Sequence, residues 1–405
     1  MRILVVSQYF WPENFRINDL VSALIERGHE ITILTGLPNY PEGKIFQPYI
    51  NNPMIYSDYE GAQVIRVPMV SRGSSKCKLA LNYLTFAISA SAIGCWRLRG
   101  RCFDVIFTYE PSPITVGLPA VLLRSLKEVP LVFWVLDLWP ETLEAIGVVK
   151  NKPALYFIKK LVSFIYKRCD VILAQSKSFI PQIKKYTGPI SSVEYFPSWA
   201  ENIRQPLNYF SVEKFGIKPG IFKVVFTGNI GEAQDFSAIL AAAQILRDRP
   251  EVCWLIIGSG RLYSWLVDEI KVRHLEECVF VLGQHPLESM PIFFDQADAL
   301  LVSLKDDPIF ALTIPAKLQS YLAAGKPILG MLNGEGAKVI IDSGSGFAVS
   351  SGNSHGLANA VVELLGMTIE ERTQMGENGQ KFSDKEFNKE YLITVLETFL
   401  KKPQK

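Results

Sequence analysis

Two α/β domains in tandem, each a doubly wound parallel sheet, are what this 405-residue sequence predicts. The length exceeds one ordinary core and suits two of roughly 200 residues each. Short β-rich apolar runs alternate with segments of helical period, the pattern of strands buried on both faces and joined by crossover helices. That pattern breaks near Tyr195-Phe196-Pro197-Ser198-Trp199 and then starts again.

In order, residues 3–6 read as the first strand, 17–27 as a helix, and 30–34, 64–67 and 105–109 as strands. A helix at 115–126, a strand at 131–136, a helix at 155–168 and a strand at 171–174 complete the first set. The second set runs through strands at 224–227, 254–257, 279–282, 299–302 and 327–331, with helices at 236–246, 262–271 and 317–324 between them. The expected domains are therefore 1–199 and 200–385, with a last helical stretch, 386–405, able to pack back on the first domain. Two cores imply a cleft between them. In open parallel sheets ligands bind beyond the carboxyl ends of the strands, so the residues following each strand carry the functional signal.

Composition narrows the function. With 48% apolar and 20% charged residues the chain is an ordinary folded one, and disorder is expected only at 401–405. A net charge of +2 creates no global field for nucleic acid. The six cysteines lack CxxC or Cys/His spacing, which argues against zinc and against a secreted disulfide framework, and a reduced cytosolic chain fits best. The opening Met1-Arg2-Ile3-Leu4-Val5-Val6 reads as a buried strand and not as a signal peptide.

Three turns stand out. In Val225-Phe226-Thr227-Gly228-Asn229-Ile230-Gly231 a strand enters a glycine-bearing turn leading to a helix capped near Asp235, where small residues let backbone N–H groups approach a phosphate. Such a turn also serves simply to reverse the chain. The second, Ile257-Gly258-Ser259-Gly260, is half a dinucleotide fingerprint, with Tyr263 at the third glycine position. After the first strand, Ser7-Gln8-Tyr9-Phe10-Trp11-Pro12-Glu13 contains no glycine, which disfavours a nicotinamide enzyme. The third, Leu312-Thr313-Ile314-Pro315-Ala316-Lys317, opens a helix stopped by Gly325 and Pro327. Lys317 near that N-terminus adds a full charge to the helix dipole and suits a diphosphate, against the plain alternative of a solvated lysine.

Together these pieces resemble the large retaining glycosyltransferase family 4 of the GT-B fold: two Rossmann-like doubly wound parallel-sheet domains facing a cleft. The resemblance spans nearly the whole chain, through the opening strand, the turns at Gly228 and Gly258, Leu282-Gly283, Ala297-Asp298-Ala299, and Tyr321-Leu322-Ala323-Ala324-Gly325-Lys326-Pro327. Ser7-Gln8-Tyr9-Phe10-Trp11-Pro12-Glu13, Asp137-Leu138-Trp139-Pro140-Glu141 and Gly228-Asn229-Ile230-Gly231 look like a bacterial subfamily that adds fucosamine or fucose units in O-antigen, capsule or colanic-acid assembly. This implies a UDP-linked donor such as UDP-N-acetylfucosamine, a polyprenyl-diphosphate-linked acceptor, and no metal or other cofactor. It also implies an acceptor-binding first domain and a donor-binding second one. The family's paired glutamates fall here on Leu312 and Ser320, and the turn that often supplies an arginine and a lysine carries Glu232 and Gln234. Lys317 is then the best remaining diphosphate cation, with Ser320 a weaker ribose contact. The donor-side set is Gly228, Asn229, Gly231, Gly258, His285, Thr313, Pro315, Lys317 and Ser320. His285 lies where a base-binding loop would fall, although a lone histidine is more often structural.

For the chemistry, Asp137 and Glu110 follow strands of the first domain and suit orientation or deprotonation of an acceptor hydroxyl, with Glu141 a competing candidate. The bland alternatives are a helix cap for Asp137 and a loop residue for Glu110. Asn14 and Arg16 are acceptor-side or donor-phosphate candidates. The apolar stretch 79–98, with Arg72, Lys76 and Lys78 before it and Arg97, Arg99 and Arg101 at its end, reads as an in-plane contact with the inner leaflet, against a buried helix or a true span. The helix containing Lys159, Lys160, Lys167 and Arg168 is similarly basic and aromatic. The expectation is a cytoplasmic transferase at the inner face of the plasma membrane, with a catalytically silent partner subunit and a sugar-nucleotide epimerase as the competing readings.

Overall fold

The computed structural model describes residues 1–73, 75–145, 147, 149, 151–188, 191–200 and 216–401. The segment joining the two halves, 201–215, and the end of the expected disordered tail, 402–405, lie outside them. The chain divides into two units, Met1–Pro197 with Glu390–Lys405, and Ser198–Lys389.

Unit 1 carries β1 (Arg2–Ser7), β2 (Glu30–Gly36), β3 (Asp58–Tyr59), β4 (Ala62–Val67), β5 (Val105–Glu110), β6 (Leu131–Val135), β7 (Val171–Ala174) and β8 (Ser192–Tyr195). They form one sheet in the order β3-β4-β2-β1-β5-β6-β7-β8, parallel except for the β3–β4 pair. β1 is central, and its Ile3, Leu4, Val5 and Val6 are fully buried, which explains the uninterrupted apolar run. Helices α1 (Arg16–Glu26), α2 (Lys76–Ser89), α3 (Gly117–Lys127) and α4 (Lys152–Tyr166) make crossovers or cover the sheet. In α1 the buried Ile17, Leu20, Val21 and Leu24 recur at helical spacing, so one stripe of the helix meets the sheet.

Unit 2 carries β9 (Phe222–Thr227), β10 (Val252–Ile257), β11 (Val279–Gly283), β12 (Ala299–Ser303), β13 (Ile328–Met331) and β14 (Gly346–Val349) in the order β11-β10-β9-β12-β13-β14, each printed pair parallel. Apolar layers lie on both faces. Phe226, Phe236, Leu240 and Leu266 belong to one, and Val225, Leu255, Leu318 and Tyr321 to the other. Helices α5 (Phe236–Ile245) and α6 (Tyr263–Val272) serve the first layer and α7 (Ala316–Ala324) the second.

The terminal helix α8 (Lys389–Leu400) returns to unit 1. Arg27 Nη1 donates to Thr394 Oγ1 (2.8 Å) and Glu397 Oε2 (3.1 Å), while Nη2 donates to Glu390 O (2.8 Å) and Oε2 (2.9 Å). His29 Nε2 lies 2.7 Å from Glu397 Oε1.

Each sheet reverses its strand order at one place, between β1 and β5 in unit 1 and between β9 and β12 in unit 2. Loops leave in opposite directions there, opening a crevice beyond the strand ends. At or just beyond the ends of β1, β5, β9 and β12 stand Ser7–Glu13, Glu110, Gly228–Gln234 and Lys305.

Candidate active site

In unit 2 the turn after β9 is shaped by its neighbour after β10. Gly228 N donates to Ile257 O (2.8 Å), Ile230 N to Ser259 O (2.9 Å), and Leu262 N to Ile230 O (3.0 Å). Gly258 sits at φ +150°, and a Cβ there would fall 1.8 Å from Gly228 O. Its lack of a side chain lets two backbones touch. Two amides of the Gly228–Gly231 turn are thus committed to carbonyls, so the turn sets the shape of the site more than it supplies those donors. Asn229 lies in the same turn, its Oδ1 2.6 Å from where a Cβ of Gly260 would stand. Asp235 is the N-cap of α5, where the sequence placed the cap, but it sits at φ 49° and its side chain makes no capping bond.

Pro315 is the N-cap of α7 and not its first helical residue, and Lys317 is the second residue of the helix. The lysine side chain runs back over β9. Nζ lies 3.7 Å from the centre of the Phe226 ring and 3.2 Å from where a Cβ of Gly228 would stand. Nζ is shut from solvent and has no hydrogen-bond partner among the described residues. Burial lowers its pKa to about 7. Both the glycine turn and this helix belong to unit 2, so their approach is decided inside one fold and not across an interdomain gap.

The other donor-side candidates are more modest. Thr313 Oγ1 donates to Ile309 O (3.3 Å), within its own turn. Ser320 is half-buried and three residues beyond Lys317, on the same side of α7 by helical spacing. His285 Nε2 stands 3.1 Å from Leu282 O and its ring packs edge-on against Phe293, so it is held in its own loop. Lys305, which sequence reasoning passed over, pairs with Glu232 (2.9 Å) and donates its backbone N–H to Ala233 O.

In unit 1 Glu110 is the last residue of β5 and fully buried, not a loop residue. Among the described residues neither carboxyl oxygen has a hydrogen-bond partner of ordinary geometry, and burial, reinforced by the nearby Asp137 charge and only partly opposed by the Asp137 backbone N–H, pushes its pKa well above the usual range. Asp137, two residues past β6, is better provided for. Oδ1 accepts from Thr142 Oγ1 (2.6 Å) and Oδ2 from Trp139 Nε1 (3.2 Å). Burial raises its pKa and these donors pull it down. Glu141 opens the following short helix, Glu141–Ala145, and its Oε1 accepts from Tyr186 Oη (2.6 Å). Burial thus pushes the neighbouring Glu110 and Asp137 carboxyls up, and hydrogen-bond donors offset it at Asp137.

The first loop holds a second buried carboxylate without an assigned role in the sequence reading. Glu13 Oε1 accepts from Asn39 N and Tyr40 N (both 2.7 Å), and Oε2 from Phe10 N (3.2 Å). Burial raises its pKa to about 7 despite those donors. Arg66 donates to Gly36 O (2.9 Å) and to Trp11 O, fastening the same loop. Beside it, Asn14 is exposed and Arg16 begins α1. Among the described residues no group of three His, Cys, Asp or Glu is placed to hold a metal ion. All six cysteines are free thiols.

Comparison with known proteins decides the class. A "Glycosyl transferase 4-like domain" matches residues 14–199, and "Glycosyl transferases group 1" matches residues 210–382. The chain is a glycosyltransferase. It is 28% identical to "Probable glycosyltransferase WbjE" of Pseudomonas aeruginosa over 67% of this chain and 68% of WbjE. It is 26% identical to WcaI of Escherichia coli K12, described as a colanic acid biosynthesis glycosyl transferase, over 80% of this chain and 82% of WcaI. Among solved structures, Anabaena HepE in complex with UDP superposes with a TM-score of 0.69 at 13% identity, covering 99% of both chains. That likeness establishes the fold of this glycosyltransferase as GT-B.

Proposed function

We propose that this glycosyltransferase moves a sugar from a UDP-linked donor, N-acetyl-L-fucosamine being the candidate, to a polyprenyl-diphosphate-linked saccharide during bacterial surface polysaccharide synthesis. The observation that carries the donor half is Lys317, a buried amine with no hydrogen-bond partner among the described residues, beside the Gly228 turn and at the start of α7. An unpaired buried cation is costly, and a diphosphate placed there would restore its charge and complete its bonds. With the helix N-terminus it would neutralise the charge gathering on the departing nucleotide. HepE, crystallised with UDP, and the polysaccharide role in the name of WcaI support the donor and pathway class.

On the acceptor side, Asp137, held by Thr142 and Trp139, accepts the proton of the attacking hydroxyl in this reading. No metal or other cofactor enters this reading.

A lipid-borne acceptor suits the surface of unit 1. The helical run Cys77–Arg97 is long and apolar enough to cross a membrane by length and composition, with 28% of its apolar window buried. Leu81, Leu84 and Ile88 are exposed along one helical stripe, Leu122 and Leu126 are exposed on α3, and Tyr156, Phe157 and Phe164 on α4. α2 packs on α3 and α3 on α4, so these side chains sit on three adjoining helices. Lys160 and Arg168 lie over the Tyr156 and Phe164 rings, a pairing of apolar body and basic tip that suits an anionic leaflet at its edge. Purified protein incubated with labelled UDP- and GDP-sugars and inner-membrane lipid extract should transfer label from a UDP-sugar only. Transfer of label from GDP-sugars alone, or from no donor at all, would sink the reading. Phe157→Asp with Ile88→Asp should weaken co-sedimentation with anionic vesicles several-fold while UDP affinity holds.

A further inference from the structure

Four residues before Tyr321 on α7 stands Lys317, so helical spacing places both side chains on one face of that helix. Tyr321 is fully buried, with its ring edge-on to Phe294 at 5.5 Å. Its hydroxyl reaches the end of β9: Thr227 N donates to Tyr321 Oη at 3.0 Å, and Thr227 Oγ1 stands 3.1 Å from the same oxygen. Thr227 immediately precedes Gly228, and Phe226, whose ring lies under Lys317 Nζ, immediately precedes Thr227. Three successive residues of one strand end thus meet one face of one helix. Phe226 takes the ammonium, Thr227 takes the tyrosine hydroxyl, and Gly228 leaves the space in which Nζ sits.

We infer that Tyr321 is a positioning residue for donor binding, a clamp that ties α7 to the end of β9 and thereby holds Lys317 against the Gly228 turn. This rests on the reading of Lys317 as the diphosphate cation and adds what sets its place. The hydrogen bonds are anchored at a backbone amide, so the clamp acts on main-chain geometry. Here a shift of an ångström at the lysine would undo the fit to a phosphate. A fully buried tyrosine hydroxyl needs partners, and this one finds both of them at the strand end it positions. Removing the hydroxyl leaves the Thr227 N–H unsatisfied in the interior and lets the two elements slide apart.

UDP binding by titration calorimetry and the resonance of isotopically methylated Lys317 test this together. Tyr321→Phe should weaken UDP roughly tenfold, about 1.4 kcal/mol, and move the Lys317 resonance toward that of a solvated lysine. Because the tyrosine acts through the lysine, the double variant with Lys317→Ala should bind no more than about twofold worse than Lys317→Ala alone. Fully additive losses, or an unmoved Lys317 resonance, would overturn the clamp. Should Tyr321→Phe fail to fold, Thr227→Val removes only the hydroxyl arm and should shift the resonance in the same direction by less, and no shift again overturns it. A Lys317→Ala protein that binds UDP like the parent defeats the donor site and the clamp with it. That result differs from failure of the clamp alone, in which Lys317→Ala weakens UDP and Tyr321→Phe does not.

Discussion

Lys317 is a charged side chain held where charge is unwelcome, and its protonation therefore couples to stability and to ligand. Its pKa falls from 10.5 in the unfolded chain to about 7 in the fold because Nζ is desolvated. Between those values the unfolded chain binds the extra proton, so this group makes the protein more stable as pH rises from about 7 toward 10.5. Methionine has a similar length and no charge. Lys317→Met should accordingly be more stable than the parent at pH 7 and lose that advantage by pH 10, as measured by urea unfolding across the range. A constant difference would mean the amine is already paired. Asp137 is the residue on which the chemistry is placed, and Asp137→Asn keeps its size and most of its bonds. Turnover should fall roughly 100-fold, the scale of a general base, with UDP affinity within about twofold. A fully active variant would leave Asp137 a structural acceptor for Thr142 and Trp139.

At the scale of elements, the informative contrast is between glycines that look alike in sequence. Gly258 ends β10 at φ +150° against the Gly228 carbonyl, whereas Gly283 ends β11 at φ +75° with nothing within 4 Å. Alanine at Gly258 meets both strain and collision, which should cost more than about 3 kcal/mol and distort the turn that borders Lys317. Gly283→Ala should cost only about 1 kcal/mol, the left-handed penalty alone. Thermal unfolding together with UDP affinity reads both, and equal effects would remove the role given to the paired turns. Among the strands, those most plainly written in the sequence, such as β1 beyond Arg2, β6 and β12, are buried and are built on continuous apolar runs. β8 and β14 are half-buried along their whole length and only four residues long, while β3 has only two residues, so periodicity had little to register.

At the scale of the whole molecule, the last helix follows unit 2 in the chain and packs within unit 1 through the Arg27 fork. Arg27 is 23% exposed and Glu397 19%, so the pair is screened only in part. Arg27→Ala should lower stability by about 1–2 kcal/mol and make the chain cleavable near Lys389, as limited proteolysis would show. Unchanged protection would mean that the apolar face of Leu392, Ile393, Leu396 and Leu400 holds the helix unaided. The sequence by itself determined the tandem α/β plan and the strand-end turns, because these follow from local periodicity and from glycine and proline placement, and its contiguous motifs carried the resemblance that implied a glycosyltransferase. Only the tertiary structure decided that Glu110 is sealed away without a hydrogen-bond partner of ordinary geometry among the described residues, that Glu13 gathers three amides from two loops, and that Tyr321 fastens Thr227 beneath Lys317. Each of those depends on which distant backbone comes to lie beside a side chain, and burial and hydrogen bonding at such a distance are properties of the packed chain that no stretch of sequence carries alone.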